Sequence, residues 1–306
     1  MNPEPTLPAS IGLIDDLHLG REHVIGTYLL RGEQPALVDP GPACCLPALE
    51  AGLAAQGLSF YDVRSLLLTH IHLDHAGATG TIVQRYPHIQ VYVHERGATH
   101  MLHPEKLLAS ATRLYGEQMD YLWGEFLAVP EANLRALAGG ETLRLGGREV
   151  RVHYAPGHAS HHVFYHDQES GAVFVGDTGG VRLPGFRYAR PATPPPDINL
   201  ELWDASLGLL ASLGPQVLCP THFGPAFDVA EHIASYREHL WSWAELVRSG
   251  MAAGLSAEEQ IARLQAQADA ELGGSAEDAA TYNQATPLDQ SWQGLVRYWT
   301  KRQQAG

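Results

Sequence analysis

Cysteine, basic charge and long apolar runs are all scarce in this chain. Of its 306 residues only Cys44, Cys45 and Cys219 are cysteines, and the first two are adjacent, so no disulfide framework is indicated. Cys219 falls in a strand-like run and reads as packing. Basic residues number 20 against 34 acidic ones, a formal net charge of −14, and a nucleic-acid backbone is repelled by such a surface. Nucleic acid is therefore not an expected partner. No run of about 18 apolar residues is present to cross a membrane as a helix. The segment Met1-Asn2-Pro3-Glu4-Pro5-Thr6-Leu7-Pro8 lacks the basic-then-apolar order of a secretory signal, so the expected location is cytoplasmic. The Gly-x-Ser-x-Gly nucleophile elbow is missing too, so no serine nucleophile of that kind is expected. With 45% hydrophobic residues the chain still has ample material for a large core and hence for an enzyme.

Histidine is what the chain has in quantity. Three of its 17 histidines fall in Thr69-His70-Ile71-His72-Leu73-Asp74-His75, directly after the apolar run Ser65-Leu66-Leu67-Leu68. That run reads as a buried strand delivering ligands to its C-terminal end. Residues two apart in extended chain face the same way, so His70 and His72 converge on one point, and the following turn swings Asp74 and His75 toward a neighbouring one. Clustering by chance does not account for three further segments that each set a ligand-type residue at the end of an expected strand. These are Ala155-Pro156-Gly157-His158, Val173-Phe174-Val175-Gly176-Asp177-Thr178 and Val217-Leu218-Cys219-Pro220-Thr221-His222. Imidazole and carboxylate donors without cysteine suit zinc, with iron or manganese open on donor type alone.

The His-x-His-x-Asp-His signature in this setting resembles the metallo-β-lactamase-fold hydrolases, in the bridging-aspartate, glyoxalase II and lactonase-like branch. The resemblance runs from the strand pair near Thr27 to His222. It implies an α/β fold, a four-layer αβ/βα sandwich with the site at one edge. By the same resemblance His70, His72 and His158 hold a first metal ion, Asp74, His75 and His222 a second, and Asp177 bridges the two. Asp74 is implied as a catalytic residue besides. In Leu37-Val38-Asp39-Pro40-Gly41, Asp39 matches an aspartate that supports the ligands without binding metal, and His162 matches a further supporting histidine; metal-bound histidines commonly lean on such partners. His161 has no assigned role. Two zinc ions that share and activate a water imply hydrolysis of a small-molecule ester, thioester, lactone or phosphoester. The aspartate at 177 disfavours β-lactam hydrolysis, and the histidine at 72 disfavours oxygen reduction of the flavodiiron kind. Two alternatives stay open: a mononuclear iron enzyme of the persulfide dioxygenase type, and a noncatalytic metal-binding protein.

Apolar spacing sets strands at Val24 to Leu30, Pro35 to Val38, Gln90 to Val93, Glu149 to Tyr154, Val163 to Tyr165 and Ala172 to Val175, with helices near Leu46 to Gln56, Ala76 to Tyr86 and Leu200 to Leu213. Residues 1–225 are expected to form the catalytic domain, with a helical insert at 97–129 that either walls the substrate pocket or caps the sandwich. Arg182, Arg187 and Arg190 are candidates to clamp an anionic group of the substrate, with Tyr188 as a hydroxyl donor beside them. Residues 226–306 read as a helical C-terminal extension, with helices at Ala226 to Ser249, Ser256 to Glu271 and Asp289 to Arg302 and a break at Gly273-Gly274-Ser275. In the last of these Trp292, Leu295, Val296 and Trp299 form one apolar face, for packing on the sandwich or on a second subunit of a homo-oligomer.

Overall fold

The computed structural model describes residues 5–305, so the N-terminal reading lies partly outside the described residues, at 1–4. Six strands form a first sheet in chain order: β1 (Ile11–Asp15), β2 (Gly26–Leu30), β3 (Ala36–Val38), β4 (Ser65–Leu67), β5 (Gln90–His94) and β6 (Leu134–Leu137). β1 to β3 are antiparallel neighbours, whereas β3 to β6 run parallel, with the connecting helices on one face. A second sheet has the order β11-β10-β9-β8-β7, from β7 (Thr142–Leu145), β8 (Arg148–Tyr154), β9 (Val163–Asp167), β10 (Ala172–Phe174) and β11 (Val217–Cys219).

Alternation along the strands builds the layers. Tyr28, Leu30, Ala36, Val38 and Leu67 point between the sheets, where they meet Val150, Val152, Val163, Tyr165 and Phe174 of the second sheet. Their neighbours Leu29, Leu37, Leu66 and Leu68 point outward against Leu49 and Leu53 of the helix Leu46–Ala55 and Ile82 of the helix Thr79–Arg85. On the far side Phe164, Val173 and Leu218 pack beneath Trp203 of the helix Leu200–Ser212 and Trp243 of the helix Val229–Ala252. Sheet faces sheet and helices cover both outsides, which is the four-layer sandwich.

The helices of the C-terminal extension belong to that outer layer. Leu264 of the helix Ala257–Leu272 and Leu295 of the helix Leu288–Ala305 share one apolar core with the second sheet. Trp203 and Leu295 have no exposed surface there, and truncating a buried tryptophan of this kind to alanine costs about 3–5 kcal/mol. Three strands and two helices escape the sequence reading: β1, β6, β7, the short helix Leu73–Ala76 that carries Asp74 and His75, and the helix Ala276–Ala285. β6 and β7 are sheet edges with a single buried residue each, Leu137 and Leu145, and so lack an apolar run. The insert is helical as expected, in the pieces Glu95–Leu102, Glu105–Tyr115 and Met119–Trp123. No helix among the described residues is long and apolar enough to cross a membrane.

Candidate metal centre

Five loops converge at one edge of the sandwich, each leaving the C-terminal end of a strand. Asp39 follows β3, the His70–His75 run follows β4, His158 follows β8, Asp177 follows β10 and His222 follows β11. Two backbone features let them approach. Asp39 adopts a left-handed φ of 51°, which turns its carboxylate back under the β4 loop. Gly157 passes so close to the helix Leu200–Ser212 that a Cβ would stand 2.3 Å from the Trp203 Cα, so any side chain there displaces His158.

The side chains fall into two groups whose donor atoms lie within 4.8 Å of one another: His70, His72, His158 and Asp177 in one, Asp74, His75 and His222 in the other. In the first, His72 Nδ1 is 3.0 Å from His70 Nε2 and 2.9 Å from His158 Nε2. In the second, His222 Nε2 is 3.2 Å and His75 Nε2 3.7 Å from Asp74 Oδ2. Asp177 stands between them. Its Oδ2 is 3.3 Å from His158 Nε2, while its Oδ1 is 3.0 Å from His75 Nε2 and 3.5 Å from His222 Nε2.

The outward nitrogens are held in place. His158 Nδ1 donates to the Ala192 carbonyl at 2.9 Å and His222 Nδ1 to the Val24 carbonyl at 2.6 Å. His75 Nδ1 donates to Asp39 Oδ2 at 2.9 Å, and His70 Nδ1 lies 3.1 Å from Thr69 Oγ1, which itself donates to Asp39 Oδ2 at 2.7 Å. Thr221 Oγ1 donates to the same oxygen at 2.7 Å and the Thr69 amide to Oδ1 at 2.8 Å. The fully buried Asp39 carboxylate thus fixes the ring orientation of His75 directly and of His70 through one hydroxyl. With the outer nitrogens protonated, the inner ones present lone pairs to the centre of each group.

Burial and mutual charge set the proton affinities. Burial, with the neighbouring His158 adding to it, pulls the His72 pKa down to about 3, and burial beside other imidazoles holds His70 well below its ordinary range. Burial alone would raise Asp74 and Asp177, but the facing histidines more than offset it and hold both carboxylates ionised. Burial alone would likewise lower His75 and His222, yet Asp177 and Asp74 raise them. Such a site calls for positive charge at its centre. Three inward atoms, His75 Nε2, His222 Nε2 and Asp177 Oδ1, are buried and face one another without a well-directed hydrogen bond, a condition that divalent cations relieve. The donor set fits two such ions.

A cavity of about 680 Å³ opens above, with His72, Asp74 and Asp177 at its floor. Leu114, Tyr115 and Trp123 of the insert line one side, and Pro194, Pro195, Pro196 and Gln290 another. The expected clamp is not there: Arg182, Arg187, Tyr188 and Arg190 are absent from the lining. They bind the C-terminal extension instead. Arg182 forks onto Asp228 at 2.7 and 3.0 Å, the exposed Arg187 pairs with Glu231, and the buried Arg190 donates to Asn283 Oδ1 at 2.6 Å. Tyr188 is buried, with its carbonyl accepting from the Tyr282 hydroxyl at 2.9 Å. The pairing of Val181 with Arg190 folds this segment back beneath the extension, and its sequence carries no sign of that return. His162 stacks on His70 at 4.9 Å, and neither of its ring nitrogens has a partner. His161, also beside the cluster, lies 5.9 Å from the His72 ring. Thr69 and Thr221 support the ligands without having been singled out in the sequence, and only their positions flanking ligand histidines offered a signal.

An αβ/βα sandwich with imidazole and carboxylate donors at the strand ends of one edge defines a recognisable class of metalloprotein. The model of the metallo-beta-lactamase superfamily matches residues 23–222, and the chain belongs to that superfamily. Among curated relatives it is 27% identical over 213 residues to thioesterase pkgB of Emericella nidulans, covering 69% of this chain and 49% of that one. To a hydroxyacylglutathione hydrolase of Synechococcus sp. it is 32% identical over 156 residues, 49% of this chain and 47% of the other. The match thus spans about half the length of these relatives. A metallo-beta-lactamase family protein of Thermus thermophilus superposes with a TM-score of 0.72 at 25% identity, covering 97% of this chain and 95% of that one.

Proposed function

We propose that the chain is a dinuclear metal-dependent hydrolase of small-molecule thioesters, within a wider range of esters, lactones and phosphoesters. The observation that carries this reading is the Asp177 carboxylate, which offers one oxygen to each group of donors. His70, His72 and His158 would hold one ion and Asp74, His75 and His222 the other, with zinc the metal that best suits the donors. When bound, a pair of divalent cations supplies a neutral-pH hydroxide and polarises the scissile carbonyl. The names of the relatives, a thioesterase and a hydroxyacylglutathione hydrolase, support the thioester as the bond.

The chain's own residues supply position and exclusion. Asp74 is the more exposed of the two floor carboxylates, at 18% of its side chain, and the facing histidines keep it ionised where it meets the cavity. Asp39 holds the imidazoles of His70 and His75 so that their inner lone pairs do not wander when substrate enters. The apolar flank of Leu114 and Trp123 keeps bulk water from the carbonyl. Metal analysis together with thiol release from a thioester panel tests the reading. About two zinc per chain with turnover is the expected result; one iron with oxygen uptake, or no cleavage of thioester, lactone or phosphodiester, would overturn it.

A further inference from the structure

The turn that carries Asp177, Gly176–Gly179, is held by its backbone from outside. Gly176 and Gly180 bound it with left-handed φ of 47° and 75°, so it has little stiffness of its own. Three of its carbonyls in succession are met by side-chain donors of the covering helices. The Tyr236 hydroxyl stands 3.5 Å from the Asp177 carbonyl, while Trp203 Nε1 donates to the Thr178 carbonyl at 3.2 Å and His232 Nε2 to the Gly179 carbonyl at 2.8 Å. All three donor side chains are buried. Trp203 comes from the helix Leu200–Ser212, and Tyr236 and His232 come from the helix Val229–Ala252, the first of the extension.

His232 makes the shortest of these contacts, and chemistry fixes its direction. Arg182 Nη1 lies 3.0 Å from His232 Nδ1. A guanidinium can only donate, so Nδ1 accepts and the ring proton sits on Nε2, aimed at the Gly179 carbonyl. Burial pulls the imidazole pKa down to about 4, which keeps the ring neutral. Arg182 is itself fixed by its fork onto Asp228, just ahead of the same helix, and its backbone amide donates to the His222 carbonyl at 2.7 Å. One run of contacts therefore links the extension to two candidate ligands: Asp177, through Gly179, and His222. Among the described residues no hydrogen bond joins His232 or Arg182 to His70, His72 or His158, whose partners are Thr69, the Ala192 carbonyl and one another.

We propose that His232 and Arg182 are positioning residues that act through this turn, setting where the Asp177 carboxylate and His222 stand relative to Asp74 and His75; the proposal rests on the dinuclear reading above. A carboxylate shared by two donor groups tolerates only about 0.5 Å of play in its support. A pliable turn between two glycines does not supply that precision, whereas a buried imidazole of fixed tautomer, locked by an ion pair, does. The extension thus completes the group Asp74, His75 and His222, while the group His70, His72 and His158 forms without it.

Titration of the full chain, freed of metal by a chelator, with cobalt(II) reads the binding steps one by one through visible absorption and a competing chelating dye. The wild type is expected to take two ions. His232→Leu, which keeps the bulk and loses both nitrogens, is expected to weaken one step by about 10–100-fold and to leave the other within about twofold. His232→Gln, whose Nε2 can still donate to the Gly179 carbonyl, is expected to bring the weakened step most of the way back. Leu264→Ala is the control: it opens the same extension core away from the turn, and it is expected to lower the melting temperature while leaving both steps in place. Should His232→Leu not fold, Arg182→Met removes the partner of Nδ1 and is expected to weaken the same single step. Equal weakening of both steps, no weakening of either, a glutamine variant no better than leucine, or the same pattern in Leu264→Ala overturns the positioning role and leaves the dinuclear reading standing. Uptake of at most one ion by the wild type overturns the dinuclear reading instead, and that ion then decides the rest: weakening by the His232 variant beyond that by Leu264→Ala upholds the positioning role, and equal or no weakening, or no ion at all, rejects it.

Discussion

The floor of the cavity and its insert wall are built by opposite rules. On the floor the candidate ligands lie in loops or in the short helix Leu73–Ala76 beyond the strand ends, most are fully buried, and four of the five candidate imidazoles have the outward nitrogen pinned by a carbonyl, a hydroxyl or Asp39. The helix Glu105–Tyr115 of the wall has no fully buried residue, and it is bounded by Gly116 with a φ of 55°, soon followed by Gly124 at 70°. The difference separates chemistry from choice of substrate. Cluster geometry is over-determined by the sandwich core, whereas the wall is free to change shape at little cost to the fold.

Breaking the floor is expected to have the largest effect. Asp177→Asn keeps the shape but removes the charge that faces both donor groups; losing several kcal/mol of transition-state stabilisation means a fall in kcat/KM on the order of 10²–10⁴-fold. Elemental analysis is expected to show metal content falling with it. Retention of both activity and metal would remove Asp177 from the site. Asp39→Asn comes next, because it touches no substrate yet supports two imidazoles. Its expected cost is about 10–100-fold in metal affinity, read by competition with a chelating dye, with activity restored by excess zinc. A loss that excess zinc does not repair would assign Asp39 to folding instead.

On the wall the same logic gives a smaller and different signature. Leu114→Ala removes apolar surface from the lining, and at roughly 0.8 kcal/mol per lost methylene contact it is expected to raise KM for an apolar thioester by about 3–10-fold. Metal content and kcat should be unchanged. A fall in metal content would show that wall and floor are mechanically coupled, against the contrast drawn above.

What the sequence disclosed follows the same division. The candidate ligand residues were legible as a set because each follows an apolar strand, and the structure brings them together in two groups. The layers came from the family resemblance, since the run Leu66, Leu67, Leu68 marks a buried strand but not which leucine faces the helices and which the second sheet. The wall was not legible. Which insert residues face the cavity depends on how a helix with no buried residue is laid across the site. The reading of Arg182, Arg187 and Arg190 failed for the complementary reason. Proximity to Asp177 in the chain said nothing of Asp228, Glu231 and Asn283, which arrive from the extension and take those side chains.

The finest test of the contrast concerns a side-chain bond between the insert helix and the last helix. Tyr115 Oη donates to Gln290 Oε1 at 3.4 Å, and both residues line the cavity. At that length the bond contributes well under about 1 kcal/mol, so Tyr115→Phe is expected to shift neither the melting temperature nor the metal content measurably. It should instead quicken amide hydrogen exchange in Glu105–Tyr115 by a few-fold, while leaving the amides of β4 and β9 protected. Exchange that stayed unchanged in the helix would mean that packing of Tyr115 on Trp123, rather than the hydroxyl, sets the wall's position. Exchange that rose in β4 as well would mean that the wall braces the floor, and that substrate choice and chemistry are not separable in this fold.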